Sequence, residues 1–98
     1  MNDFNYQLLD EIIHSRIRLA VMALLISVEE AEFNFLKEKV KATDGNLSVH
    51  LKKLEEAEYI SVKKEFIDRK PKTMYTLTKT GKTAFNQYLI SLENLIKK

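Results

Sequence analysis

A run of small, polar and basic residues lies near the middle of the chain, in the stretch TDGNLSVHLKKLEEAEY from Thr43 to Tyr59. At 100° per residue, a helix here aligns Leu47, Leu51 and Leu54 on one buried stripe. The opposite face is free of acids and carries Gly45, Asn46, Ser48, Val49, Lys52 and Lys53. Amide, hydroxyl and ammonium groups match the donors and acceptors of DNA base edges, and a valine can meet a thymine methyl. We therefore predict base contacts by Asn46, Ser48, Val49 and Lys52.

The start of this helix is marked by Thr43, a favourable N-cap, and by Asp44, an acid in the first turn where the helix dipole favours negative charge. The other acids lie in the C-terminal half, so the first turns are free to approach phosphates. Gly45 costs about 1 kcal/mol of helix stability relative to alanine. Either a nucleic-acid strand approaches closely there, or the glycine merely relaxes the turn.

A second set of residues suits the DNA backbone, because phosphate contacts set affinity and register while base contacts set sequence preference. His50 lies towards the apolar seam, so packing or a phosphate contact fits it better than a ligand role. The predicted backbone contacts are Thr43, Gly45, His50, Lys53, Arg69, Lys70 and Lys72.

Charge is distributed unevenly along the chain. Residues 37–82 contain 12 Lys or Arg against 7 Asp or Glu, a net charge of +5, whereas the remaining residues carry −3. A basic middle between acidic or neutral ends is typical of a nucleic-acid binder whose oligomer contacts lie elsewhere.

Composition indicates one folded, mainly helical domain, since 98 residues with 45% hydrophobic content include only two glycines and one proline. With no cysteine and two distant histidines, we expect no disulfide, metal site or cofactor. No nucleophile motif or glycine-rich phosphate loop is present, so we do not expect an enzyme. The polar N-terminus and the short apolar runs predict a soluble cytoplasmic protein without membrane spans.

Two helices are predicted before Thr43. The first spans residues 8–27, continuous or in two pieces with Ser15 capping the second. After a polar connection and a short extended stretch at Phe33, Asn34 is a plausible N-cap for a helix over 35–41. The short turn from Ala42 to Thr43 gives a helix-turn-helix layout over 35–58.

After Tyr59 the apolar period changes from helical to alternating, which predicts a β-hairpin over 60–77 with the sequence IDRKPK at its tip. Three cations at the tip, Arg69, Lys70 and Lys72, suit a phosphate or minor-groove contact. A solvated turn is the alternative, which the preceding helix-turn-helix makes less attractive.

The final segment, residues 79–97, predicts an amphipathic helix capped by Thr78 or Thr80. Its apolar stripe is longer than a small domain can cover, so we predict pairing with a second copy, together with the N-terminal helix; folding back on its own core is the alternative. The predicted dimer interface contains Leu8, Ile12, Phe85, Tyr88, Leu89, Leu92, Leu95 and Ile96.

Three motifs carry a family resemblance: HSRIRLAVMALL from His14, TDGNLSVHLKKLEEAEYI from Thr43 and MYTLTKTGKTAF from Met74. Together they resemble the small single-domain winged helix-turn-helix regulators of the MarR, ArsR and PadR type. The resemblance covers nearly the whole chain and implies an α+β fold, mainly α with a small β-hairpin wing and long terminal helices. One residue departs from the family pattern, because Glu58 stands where a glycine is usual; a left-handed turn there would cost about 1 kcal/mol.

The resemblance further implies a homodimeric regulator of transcription that binds double-stranded DNA, with recognition helices in the major groove and wings on the backbone or minor groove. The rival interpretation is a winged-helix module that binds protein and leaves its basic face solvated. The acid-free reading face and the basic hairpin favour DNA.

Overall fold

The computed structural model of the protein describes residues 6–97. A short 3₁₀ turn, Tyr6–Leu8, precedes the helix α1, Arg16–Val28. The strand β1, Glu30–Glu32, leads into α2, Phe33–Val40, and α3, Asp44–Glu56. The strands β2, Ile60–Ile67, and β3, Lys70–Leu77, form a hairpin that is followed by α4, Lys79–Ile96. The fold is therefore mainly helical with a small antiparallel sheet, as the sequence predicts.

The N-terminal helix is shorter than the predicted span of 8–27. Residues 9–15 are not helical and contain a turn at 11–13, because the Asp10 carboxylate accepts hydrogen bonds from the backbone N–H groups of Ile12 and Ile13, at 2.8 and 3.2 Å. Such side-chain bonds compete with helical ones. The helix starts after Ser15, whose hydroxyl accepts from the N–H of Arg18. The cap predicted at Ser15 is confirmed, and the helical start at Leu8 is wrong.

The sheet has three strands in the order β1-β3-β2, all antiparallel. Three residues of β1 pair with residues 74–76 of β3, and Ala31 is the buried member of β1. Because β1 ends at Glu32, this residue takes the N-cap position of α2 without a side-chain bond. The N-cap predicted at Asn34 is therefore wrong, and Asn34 lies inside the helix.

One hydrophobic core joins the helices to the inner face of the sheet. The helix α3 contributes its three leucines, and α4 contributes Phe85 and Tyr88. The buried set comprises Ile13, Val21, Met22, Leu25, Ala31, Leu36, Leu47, Leu51, Leu54, Ile60, Tyr75, Leu77, Phe85 and Tyr88. This core fixes α3 by its apolar stripe and leaves its opposite face outward.

Candidate nucleic-acid interface

The helix α3 begins with the predicted cap. Thr43 has an extended backbone, and its hydroxyl accepts a hydrogen bond from the N–H of Asn46 at 3.2 Å. Lys41 ends α2 in a left-handed conformation with φ 55°, so residues 41–43 make the sharp turn between the two helices. Lys37 of α2 forms an ion pair with Asp44 of α3 at 2.6 Å, across this turn. The helix-turn-helix layout is confirmed.

The outward face of α3 brings together all four residues that were predicted to contact bases. Asn46, Ser48 and Lys52 are exposed, and the Val49 side chain is 55% exposed although it is apolar. Lys53 is also exposed on this helix. The structure thus presents an amide, a hydroxyl, a methyl surface and two cations on one helix, which are the groups that read groove edges and phosphates.

Neither the backbone conformation at Gly45 nor the packing around it, in the part of the chain that the structure describes, requires a glycine. Its φ is not positive, and a Cβ added there would meet nothing within 4 Å. Since glycine still weakens the helix, the open space at this position is consistent with the close approach of another molecule.

His50 is held by an arginine that sequence reasoning did not assign to the site. The Arg18 guanidinium lies 2.8 Å from His50 Nδ1, and it also donates to the carbonyls of Glu11 and Ile12. Because the arginine can only donate, Nδ1 must accept, which leaves the proton of the neutral ring on Nε2. Arg18 therefore fixes the orientation of His50 on α3. An arginine among the apolar residues of α1 was the available signal.

Burial, and then the charges of Arg18 and Lys53, lower the pKa of His50 below its ordinary value of 6.5. The neutral ring is therefore favoured near neutral pH in the free protein. Its Nε2–H would be a hydrogen-bond donor, which is compatible with the phosphate contact predicted for this residue.

The turn that ends α3 is left-handed at Glu58, the residue that stands where the family pattern has glycine. Glu58 has φ 64°, its N–H donates to the Glu55 carbonyl, and the N–H of Tyr59 donates to the Leu54 carbonyl, both at 2.9 Å. These two bonds define the Schellman motif, whose left-handed position is usually glycine. The turn has kept its geometry and carries a glutamate in a strained conformation.

Tyr59 ties the end of α3 to the N-terminal segment, because its hydroxyl donates to the Asp10 carboxylate. Burial, followed by this hydrogen bond and the charge of Asp10, raises the pKa of Tyr59 to about 12. The side chain therefore stays a neutral donor over the ordinary pH range. This contact and the Arg18 bridge attach residues 10–18 to the middle of α3 and to the turn that follows it.

The hairpin, here called the wing, has a tighter tip than predicted. Asp68 and Arg69 form a two-residue turn with φ 52° and 65°, and both values are positive as in a type I′ turn. Lys70, Pro71 and Lys72 belong to β3. The six-residue tip IDRKPK is therefore wrong in its length, although the hairpin itself is confirmed.

The three predicted wing cations differ in their surroundings. Arg69 and Lys70 are exposed at the turn, whereas Lys72 lies farther back and its Nζ is 3.2 Å from a carboxylate oxygen of Glu32. Sequence reasoning assigned no role to Phe66, which is 78% exposed beside the turn. Its position in the alternating pattern of β2 was the available signal.

The residues predicted for a dimer interface fall into three groups. Phe85 and Tyr88 are buried in the chain's own core, and His14 Nδ1 lies 2.9 Å from the Tyr88 hydroxyl oxygen. Ile12 packs against the core and Leu95 is half-buried. The exposed members are Leu8, Leu89, Leu92 and Ile96.

No group of three or more His, Cys, Asp or Glu residues between Tyr6 and Lys97 is placed to hold a metal ion. Within the same range, no helix is long and apolar enough to cross a membrane.

A helix-turn-helix followed directly by a two-stranded wing defines the winged-helix class of DNA-binding domain. The chain belongs to the winged helix DNA-binding domain family, whose model matches residues 17–96. This membership confirms the expected fold and the expectation that the protein is not an enzyme.

Individual proteins show the same likeness. An uncharacterised protein of Methanocaldococcus jannaschii is 44% identical over 87 residues, covering 89% of this chain and 95% of that protein. The structure of a transcriptional regulator homologue from Pyrococcus horikoshii is 29% identical, with a TM-score of 0.83 over 89% of this chain and 86% of that one. A PadR-like transcription factor from Bacteroides fragilis, 23% identical, covers 79% of this chain and 80% of its own with a TM-score of 0.70, which shows the shared fold.

Proposed function

We propose that the protein is a sequence-specific regulator of transcription that binds double-stranded DNA as a homodimer, with α3 in the major groove. The observation that carries the proposal is the outward face of α3, where Asn46, Ser48, Val49 and Lys52 are exposed together. A helix fits the major groove, and these groups match its donor, acceptor and methyl pattern. The chain's winged-helix family and its likeness to a transcriptional regulator homologue support the same conclusion.

The wing would touch the backbone or minor groove beside α3. Arg69 and Lys70 are exposed at its turn and can neutralise phosphates, as can Lys53 on α3 itself. Thr43 and Gly45, at the start of α3, would let the strand come close to the backbone N–H groups of the first turn. Lys72 contributes only if DNA replaces its ion pair with Glu32.

The homodimer would form through the far half of α4. Leu89, Leu92 and Ile96 are exposed there, beyond the part of α4 that Phe85 and Tyr88 anchor in the core. Pairing two such faces would remove apolar surface from water and set two copies of α3 at a fixed separation. Dimeric helix-turn-helix proteins read half-sites about 34–36 Å apart in this way.

The test is DNA binding measured against salt concentration and sequence. The wild-type protein should bind a random 30-base-pair duplex at low salt, with an affinity that falls steeply as salt rises. Lys53→Ala should weaken binding about equally on all sequences and reduce the salt slope by about 1. Asn46→Ala should change the preference between sequences selected from a random pool, by about 1–3 kcal/mol at one base pair.

Lys82→Ala is the matched control, because it removes an exposed cation of α4 that belongs neither to the predicted DNA contacts nor to the proposed dimer surface. It should leave the salt slope unchanged. Failure of the wild type to bind any duplex at low salt would refute the DNA function and favour a protein-binding module.

A further inference from the structure

The inner face of the wing continues past the edge of the core. Antiparallel pairing sets Ile60 opposite Leu77 and Val62 opposite Tyr75, and this face covers the core. Two residues further along each strand, the same face carries the pair Lys64–Thr73, and after it the pair Phe66–Pro71. The apolar alternation of β2 therefore resumes at Phe66, beyond the edge of the core.

Phe66 lies about 13 Å beyond Val62, at roughly 3.3 Å per residue. Its side chain is 78% exposed, the highest value for a large apolar residue between Tyr6 and Lys97. Packing within the chain therefore does not explain an aromatic residue at this position. Removal from water by a partner would explain it.

The backbone around Phe66 disfavours a partner that adds a strand to the sheet. At Pro71, β3 has lost its neighbour β1, which pairs only with residues 74–76. Proline has no N–H to offer at this open edge. The other edge of the sheet is β2 itself, whose residues 63–65 are all charged, and charged or proline-containing edges disfavour strand addition. The partner must then meet the side chains of the tip.

The charges around Phe66 indicate a polyanion. Lys64, Arg69 and Lys70 are exposed near it, and none of the three forms an ion pair with another residue in the range 6–97. The nearby acid Glu65 is held by Lys63 at 3.3 Å, which leaves Asp68 as the other acid of the tip. An apolar partner surface would have to desolvate these cations, whereas DNA pairs with them.

We propose that Phe66 enters the DNA minor groove as an apolar wedge, beside the site read by α3, while Lys64, Arg69 and Lys70 hold the flanking phosphates. The minor groove is about 6 Å wide and admits side chains rather than a two-stranded ribbon. Apolar wedges there unstack one base step and bend the duplex. Phe66 is then a specificity-determining residue, because flexible pyrimidine–purine steps are the easiest to unstack. This inference rests on the proposed DNA function.

The test uses a 30-base-pair duplex selected from a random pool by the wild-type protein. 2-Aminopurine is placed, in separate duplexes, at each adenine position flanking the central site, and the DNA ends carry a fluorescence donor and acceptor. Binding should raise 2-aminopurine emission at one flanking step in each half-site and shorten the end-to-end distance. Phe66→Ala should abolish both signals and weaken binding by roughly 10- to 100-fold, the effect of leaving a phenylalanine surface unburied.

Three variants separate a wedge from a general effect on the wing. Ile67→Ala removes apolar surface from the opposite face of the same tip, where Ile67 is also exposed, and should keep both signals. Phe66→Leu retains an apolar wedge and should keep most of the emission change. Phe66→Lys adds a cation and should still lose the emission change.

The outcomes distinguish the wedge from the DNA function on which it rests. Binding by the wild type together with unchanged emission and affinity in Phe66→Ala would overturn the wedge alone. Tighter binding by Phe66→Lys with the emission change retained would do the same, because the tip would then act only by charge. A loss of dimers in Phe66→Ala would identify Phe66 as a subunit contact and also overturn the wedge. Absence of wild-type binding at low salt would remove both proposals.

Discussion

Two elements, α4 and the wing, extend an apolar face beyond the core, and they differ in what surrounds it. In α4 the stripe is buried at Gly81, Phe85 and Tyr88 and becomes exposed at Leu92 and Ile96. In the wing the stripe is buried at Ile60 and Tyr75 and returns at Phe66. Both faces end in solvent in the single chain.

The charges distinguish the partners of the two faces. Near the end of α4, Glu93 and Lys97 form an ion pair at 3.2 Å, and the neighbouring residues Leu89 and Ile90 are apolar and exposed. That surface is broad and nearly neutral, so it suits a second copy of itself. Phe66 is one aromatic residue among unpaired cations, so it suits DNA. In both proposals the exposed apolar surface is the reason to propose a partner, and the charges around it decide which kind of partner is proposed.

The wing and α4 are joined by hydrogen bonds to the same turn, at Glu58 and Tyr59. Thr78, the confirmed N-cap of α4, donates its hydroxyl to the Glu58 carbonyl at 2.6 Å and accepts from the Gly81 N–H at 2.9 Å. Its own N–H donates to the Tyr59 carbonyl at 3.0 Å. The residues just before β2 are thus bonded to those just after β3, and the direction of both the wing and α4 depends on this joint.

The largest effect is expected from Gly81→Ala, which introduces a steric clash at this joint. A Cβ at position 81 would lie 2.1 Å from the Tyr59 carbonyl oxygen, a backbone atom that cannot rotate away. Relieving the clash requires α4 to move off the turn that ends α3, so we expect a loss of about 3 kcal/mol of unfolding free energy. Urea unfolding followed by circular dichroism measures it.

Gly45→Ala is the matched control, because the chain's other glycine would place its Cβ in open space. It should raise the unfolding free energy by up to about 1 kcal/mol, as alanine is the better helix former. If Gly81→Ala unfolded at the same urea concentration as the wild type, the joint would not hold the two elements in place.

Leu92→Glu should weaken dimerisation through the exposed face of α4 without changing the wing. A buried carboxylate in the proposed dimer interface would raise the dimer dissociation constant by at least about 30-fold, the cost of losing one central interface side chain. Sedimentation measures the dimer directly, and affinity for the selected duplex should fall with it. Gln87→Glu adds the same charge at an exposed polar position of α4 and should change neither. Dimers that persist in Leu92→Glu would place the interface elsewhere.

Local signals in the sequence predicted α3, the wing and the start of α4. Thr43 and Thr78 are caps whose side chains bond within three residues, and the leucine stripe of α3 follows helical periodicity, so neighbouring residues suffice to infer them. The alternation from Ile60 gave the hairpin. In each case the determining contact lies close in sequence or repeats with a fixed period.

The errors arose where distant contacts decide the structure. Leu9, Ile12 and Ile13 keep a helical spacing because they pack against the core. The Asp10 carboxylate, which accepts a hydrogen bond from Tyr59, 49 residues away, also bonds the N–H groups of Ile12 and Ile13 and so holds the backbone in a turn. The strand β1 has only three residues, and its partner lies more than 40 residues away, at Thr76 opposite Glu30. The bridge from Arg18 to His50 likewise spans 32 residues and has no periodic signature.

The smallest effect is expected from Glu58→Gly, which tests the joint between the wing and α4 without changing the apolar face of either element. Glu58 is exposed and adopts φ 64°, where a side chain costs about 1–2 kcal/mol and glycine costs nothing. Glycine also gains about 0.4–1 kcal/mol of unfolded-state entropy, which offsets part of the benefit. The net result should be a rise in unfolding free energy of about 0.5–1 kcal/mol, measured in urea.

Dimerisation and DNA affinity should stay unchanged, because the Schellman bonds that orient the wing are already formed in the wild type. A fall in stability would mean that the glutamate side chain itself supports the turn, and a change in DNA affinity would mean that the strain at Glu58 positions the wing.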